Sequence, residues 1–104
     1  MTLPAQGDVW WAEAEDKRRP VLVCTRSEAV TVLSAIVVAP VSRTVRGIPS
    51  ELALGQAEGL EVECAASFDN LATVPRRALT SRIGALDAPR RRELCAALRA
   101  MSDC

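Results

Sequence analysis

Histidine and tyrosine are absent from this 104-residue chain, and phenylalanine occurs once. Without histidine the usual general base for hydrolysis at neutral pH is missing, and no Ser-His-Asp or Cys-His arrangement can form. Net charge is also lacking: 13 basic residues balance 13 acidic ones. A protein that coats nucleic acid by bulk charge is therefore excluded, although a local arginine-lined groove is not. Lysine is reduced to Lys17; the other basic residues are arginines. That bias has two readings, a GC-rich genome or, at particular positions, selection for bidentate phosphate contacts. No apolar run is long enough to span a bilayer, and Met1 to Gln6 lacks the apolar core of a secretory signal. No P-loop, no GxGxxG and no clustered carboxylate pair is found.

Four cysteines are present, with no CxxC spacing, so a zinc site or a disulfide framework is not expected. Cys24 and Cys64 lie in apolar runs and read as small core residues. Cys95 falls on the last expected helix, and Cys104 reads as a free terminal thiol. Together these features point to a soluble cytoplasmic protein with no metal and no cofactor.

Apolar residues make up 49% of the chain, which is globular composition. The length suits one domain over 1–104. A domain of this size buries only about two thirds of its unfolded surface, so a dimer interface would add stability. Gly7-Asp8 signals a turn into a strand over Val9–Ala14. Glu15 to Arg19 reads as a charged connection, with Pro20 opening a strand over Val21–Thr25 that is buried on both faces. Ser27 is the expected N-cap of one or two helical turns. Ala35–Ala39 reads as a buried strand ended by Pro40-Val41-Ser42, and Arg43 to Pro49 as a polar loop. Ser50–Leu54 alternates like an exposed edge strand, and Leu60–Ala66 pairs back after a turn. Asn70–Val74 is a further strand stopped by Pro75, and Ile83 and Leu86 flank Gly84 in a short one.

Asp87 is the expected N-cap of a final helix whose apolar stripe is Leu94, Leu98 and Met101. Arg90, Arg91 and Arg92 crowd its start, the wrong end for cations near a helix dipole. They read as a solvated face, a phosphate-contacting patch or a partner surface. Many short strands followed by one helix predict a mainly β fold, a small curled antiparallel sheet or barrel.

Two segments stand out chemically. Arg18-Arg19-Pro20 lies at the mouth of one buried strand and Pro40-Val41-Ser42-Arg43 at the end of another. If those strands are neighbours, Arg19 and Ser42 lie close at one edge of the sheet.

Over nearly its whole length the chain resembles the MazF/PemK family of toxin endoribonucleases. The matching stretches are Gly7-Asp8-Val9-Trp10, Arg19-Pro20-Val21-Leu22-Val23, Val38-Ala39-Pro40-Val41-Ser42, Gly47-Ile48-Pro49 with Glu51, Gly59-Leu60, and Phe68-Asp69-Asn70 with Thr73-Val74. The resemblance implies an SH3-like barrel with helical additions, a homodimer, and single-stranded RNA bound in a groove near the dimer interface. It also implies a MazE-like antitoxin as partner. The family's catalytic arginine stands at Arg19 and its catalytic Thr or Ser at Ser42. The candidate RNA-contacting residues are Trp10, Arg18, Arg43, Arg46, Asp69 and Asn70, with Arg26 a further candidate for phosphate contact. Of Trp10 and Trp11, one is expected to face inward and one outward, the outward one available to stack on a base.

Three departures from the family pattern are visible. The connection from Glu13 to Arg18 is short and lacks glycine, whereas in many relatives this loop covers the RNA groove. Ser42 replaces the commoner Thr, and Asn70 replaces a common Gln.

The expected chemistry is metal-independent attack by the substrate's own 2′-OH, leaving a 2′,3′-cyclic phosphate and a 5′-OH. A permanently charged guanidinium suits stabilisation of the phosphorane but not base catalysis. The rival readings are a non-enzymatic CcdB-like toxin of similar fold that binds DNA gyrase, and an inactive RNA-binding module. The gyrase-binding relatives end in a Trp-Gly-Ile-like tail, and this chain ends Met101-Ser102-Asp103-Cys104.

Overall fold

A computed structural model describes residues 3–14 and 16–102; Cys104 and Glu15 lie outside the described residues. β1 (Asp8–Ala14) and β2 (Lys17–Val23) form an antiparallel hairpin from Val9↔Leu22 to Ala14↔Lys17. Lys17, Arg18 and Arg19, expected in a connection, are therefore strand residues. Their side chains are exposed, which is why no hydrophobic pattern marks them. Opposite charges face each other across this stretch at Glu13↔Arg18.

Pro20 sits inside β2 rather than opening it. It pairs with Trp11 of β1, while pairing to β3 (Ala35–Ser42) begins only at Val21↔Pro40. The missing N–H thus removes no bond to β3. β2 also ends at Val23, not Thr25. The Thr25 hydroxyl instead accepts the Val37 N–H at 2.7 Å.

β3 is the strand on which the sheet turns. Val38 pairs with Val23 of β2 on one edge and with Ala72 of β6 (Ala72–Pro75) on the other. Pro40 does not end it. Val41 and Ser42 continue the strand by pairing with Ala66 and Ala65 of β5 (Cys64–Ser67). β4 (Glu51–Leu54) is the edge strand beyond β5, with Leu52 and Leu54 buried and Ala53 exposed. At the opposite edge β7 (Leu79–Ala85) pairs with β1 through two register shifts, which add twist. The result is a seven-stranded antiparallel sheet that curls strongly, as the mainly β expectation required. Asn70 and Leu71 are not in a strand; Phe68–Asn70 forms a 3₁₀ turn.

β1, β2 and β3 are buried on both faces, in period-two alternation. Val9, Leu22, Ala39, Leu54, Ala66 and Phe68 pack on one side with Leu94 and Ala97 of α2 (Ala88–Ser102). Trp10, Val21, Val23, Ile36, Val38 and Leu79 pack on the other with Val30 of α1 (Ser27–Val30). Burying Phe68 completely contributes about 2 kcal/mol. α1 is a single turn preceded by Arg26, not capped by Ser27. The Ser27 hydroxyl accepts the Gln6 N–H at 2.9 Å instead. α2 begins as expected, with Asp87 Oδ1 accepting the Arg90 N–H at 2.9 Å. The Asp87 carboxylate satisfies one of the orphan donors of the first turn.

Arg90 is not a solvated residue. It pairs with Glu93 at 2.5 Å, approaches the buried Glu58 at 3.9 Å and donates to the Ala53 carbonyl, tying the start of α2 to β4 and the 55–59 turn. Asp8 is buried and anchors the other end of the sheet. Its carboxylate accepts the Ala5 N–H at 3.0 Å and the Trp10 Nε1–H at 3.1 Å, and lies 3.5 Å from Arg82.

Candidate functional site

The two strands carrying Arg19 and Ser42 are neighbours. Beyond Val21↔Pro40, two further residues along each strand reach Arg19 and Ser42 at the same register. There the strands part. β2 stays on β1, with Arg19 opposite Ala12, while β3 runs on beside β5 on its other edge, with Ser42 opposite Ala65. Arg19 and Ser42 thus stand on the two arms of a fork, both exposed. Pro20 and Pro40 sit at its crotch, and neither can donate an N–H to close it.

The arms open into different concavities. One of about 480 Å³ is walled by Trp11, Pro20, Val41, Leu60 and Ile83, with Ser42, Arg43 and Glu61 also on its lining. Another of about 330 Å³ holds Arg19 and Lys17 with Pro40, Val38 and Val74. A third of about 780 Å³, lined by Glu58, Glu63 and Arg90, contains neither Arg19 nor Ser42. Ser42 Oγ accepts the Thr44 N–H at 3.1 Å, which fixes the oxygen and leaves its proton to be directed outward. Arg18 lies over the Trp11 ring, 4.4 Å from its centroid, and its Nη2 donates to Ser81 Oγ at 3.3 Å.

The other candidates divide. Trp10 requires correction: it is 6% exposed, its indole N–H is used by Asp8, and it belongs to the core. No base can stack on it, and the outward ring is the half-buried Trp11. Alternation could not separate the two because Val9, on the same face as Trp11, is buried as well as Trp10 on the other. Arg43 is exposed at the mouth of the Ser42 concavity. Arg46 is held by Glu51, 3.5 Å away, and the same carboxylate accepts the backbone N–H groups of Arg46 and Gly47. Asp69 accepts from the Ser50 hydroxyl, and Asn70 Nδ2 donates to Ser67 Oγ at 3.0 Å. Asp69 and Asn70 are exposed on the turn after β5, and neither lines the Arg19 or the Ser42 concavity.

Burial pushes the Cys24 thiol up to about 12. It raises Cys64 as well, with the charge of Glu58 adding to the effect. Both stay protonated at neutral pH and are core residues rather than nucleophiles. Among the described residues, no group of three or more Cys, Asp or Glu side chains gathers as metal ligands.

This small curled sheet closed by a C-terminal helix is also the fold of a solved toxin. The Mycobacterium tuberculosis toxin MazF-mt6 superposes with a TM-score of 0.85 at 34% identity, over 92% of this chain and 96% of that one. The chain belongs to the family of PemK-like, MazF-like toxins of type II toxin–antitoxin systems, whose model matches residues 5–102. Two Mycobacterium tuberculosis relatives are similar over almost their whole length. Probable endoribonuclease MazF2 is 40% identical across 95% of this chain and 98% of its own. Probable endoribonuclease MazF5 is 39% identical across 98% and 95%.

Proposed function

We propose that this toxin cuts single-stranded RNA by directing the substrate's own 2′-OH onto the adjacent phosphorus. The chain is an endoribonuclease, the activity for which MazF2 and MazF5 are named. The observation that carries the mechanism is the fork, which sets Arg19 and Ser42 at one register on diverging arms. A phosphodiester laid across it has a guanidinium on one side and a hydroxyl on the other.

The 2′-oxygen bonds to phosphorus as its proton leaves, the bond from phosphorus to the 5′-oxygen breaks, and that oxygen takes up a proton. The products are a 2′,3′-cyclic phosphate and a 5′-OH. Arg19 neutralises charge on the non-bridging oxygens, and its fork-shaped array of donors matches two of them. Ser42 holds a phosphate oxygen or the 2′-OH in line. Nothing in this sequence requires a metal, because the nucleophile comes with the substrate and permanent positive charge comes from arginine. Primer extension on a long RNA should therefore give the same cuts in EDTA as in buffer. Cutting lost in EDTA and restored by Mg²⁺ would overturn this. The gyrase-binding alternative is not favoured, since the relatives that the chain matches over almost their whole length are named endoribonucleases.

The toxin works as a homodimer in the cytoplasm, and an acidic segment of its antitoxin occupies the arginine-bearing groove. No helix among the described residues is long and apolar enough to cross a membrane. Val32, Leu33, Val45, Ile48 and Val62 are large apolar side chains left exposed, a reason for a second copy to cover part of this surface. Light scattering at micromolar concentration should report twice 11.2 kDa; a monomer alone refutes the dimer.

A further inference from the structure

We propose that Trp11 is the stacking platform for one base of the substrate strand, and that the concavity beside it determines sequence preference at that position. The inference rests on the ribonuclease reading above. The chain has three aromatic rings, two Trp and one Phe. Phe68 is fully buried and Trp10 is 6% exposed, which leaves Trp11 as the ring with a face to offer. Stacking on an aromatic ring is a recurring way for a protein to hold an unpaired base.

The surroundings of Trp11 suit a base. Pro20, Val41, Leu60 and Ile83 form apolar walls, and the volume of about 480 Å³ leaves room for a planar heterocycle. Polar groups sit at the lining as well: the Ser42 hydroxyl, the Arg43 guanidinium and the Glu61 carboxylate. A carboxylate only accepts, so Glu61 favours a base edge that presents N–H donors. Arg18 covers one face of Trp11, 4.4 Å from its centroid, and donates to Ser81, so it fixes the plane of the indole before substrate arrives and leaves the side toward the concavity for the base. Because Ser42 lines the same concavity, the seated base belongs to a nucleotide next to the scissile phosphate. An aromatic fixed this way reads the strand and positions its backbone together.

The test uses a short single-stranded RNA spanning a mapped cut, and a series in which one nucleotide at a time is made abasic. Trp11→Leu should lower kcat/KM on the intact strand by on the order of 10- to 100-fold. It should have no effect on the strand that is abasic at one position beside the cut, and Trp11→Phe should keep most of the activity. Equal losses on the intact and every abasic strand would mean that Trp11 merely supports the fold, and would overturn the proposal. A second readout needs no variant. Tryptophan fluorescence of the wild-type protein should be quenched by an uncleavable strand with deoxyribose at the cut, and less so when that one base is missing. Quenching that is the same for every abasic strand also overturns it. Failure of the ribonuclease reading is distinct, since the wild-type protein would then cut no RNA.

Discussion

A substrate carrying deoxyribose at the cut site should bind and not be cleaved. Phosphate contacts dominate the affinity of a protein for a nucleic acid strand, and removing one hydroxyl leaves them in place. The reaction, in contrast, loses its nucleophile outright, because no side chain at the fork replaces it. Cys24 and Cys64 are buried thiols, and histidine is absent. The matching change on the protein is Arg19→Ala. It should lower kcat by about 10²- to 10³-fold, the loss seen when one donor to a developing oxyanion is removed. Arg19→Lys keeps the charge and loses the bidentate array, so it should recover only part of the rate. Ser42→Ala should cost less, since water can partly replace a hydroxyl that positions. The measurement is single-turnover cleavage of one end-labelled strand. Normal cleavage of the deoxyribose strand, or full activity of Arg19→Ala, would refute the mechanism.

The second large effect concerns stability. Gly84 of β7 lies so close to the 55–59 turn that a Cβ there would stand 2.1 Å from the Glu58 carbonyl oxygen and 2.8 Å from its carbon. Gly59 returns the contact. Its φ is +91°, and a Cβ on it would meet the Ile83 carbonyl oxygen at 2.6 Å. Both obstacles are backbone, so neither can swing aside. Gly84→Ala must push the turn off the sheet, at a cost of about 3 kcal/mol or more. In a domain this size each kcal/mol lowers the melting temperature by roughly 4–8 °C. Gly55→Ala is the control, because its φ of −170° is ordinary extended backbone and nothing lies within 4 Å of the added carbon. Thermal melts of the two variants should differ widely; similar melts would show that the turn yields. Activity should fall with Gly84→Ala as well, since Gly59, Leu60 and Ile83 all line the Ser42 concavity.

Much of this was legible in the chain because burial leaves a pattern. The apolar runs of β2 and β3 announced strands covered on both faces, and so allowed Arg19 and Ser42 to be placed near each other. Asp87 and the stripe of Leu94, Leu98 and Met101 placed the final helix. What escaped depends on distant partners. Lys17 to Arg19 form strand without burying anything, so no periodicity betrays them. Pro40 looked like an end because the neighbour that prolongs β3, Ala65-Ala66, comes much later in the chain. The end of β2–β3 pairing at Val21↔Pro40 likewise leaves no mark in the local sequence. Arg90 looked misplaced at a helix start, since Glu58 and the Ala53 carbonyl that hold it are remote in sequence. Trp10 and Trp11 were indistinguishable because the face that carries Trp11 is buried at Val9 and opens only further along the strand.

The tightness of the first hairpin has a consequence for how a long molecule reaches the fork. Only Glu15 and Asp16 separate the paired residues Ala14 and Lys17, with Asp16 turning the chain at φ +63°. A connection of that length cannot arch over its neighbours. A strand laid along the fork therefore meets no cover from this hairpin. How long it stays is then set by the contacts themselves, and release of the two fragments waits on no movement of the hairpin.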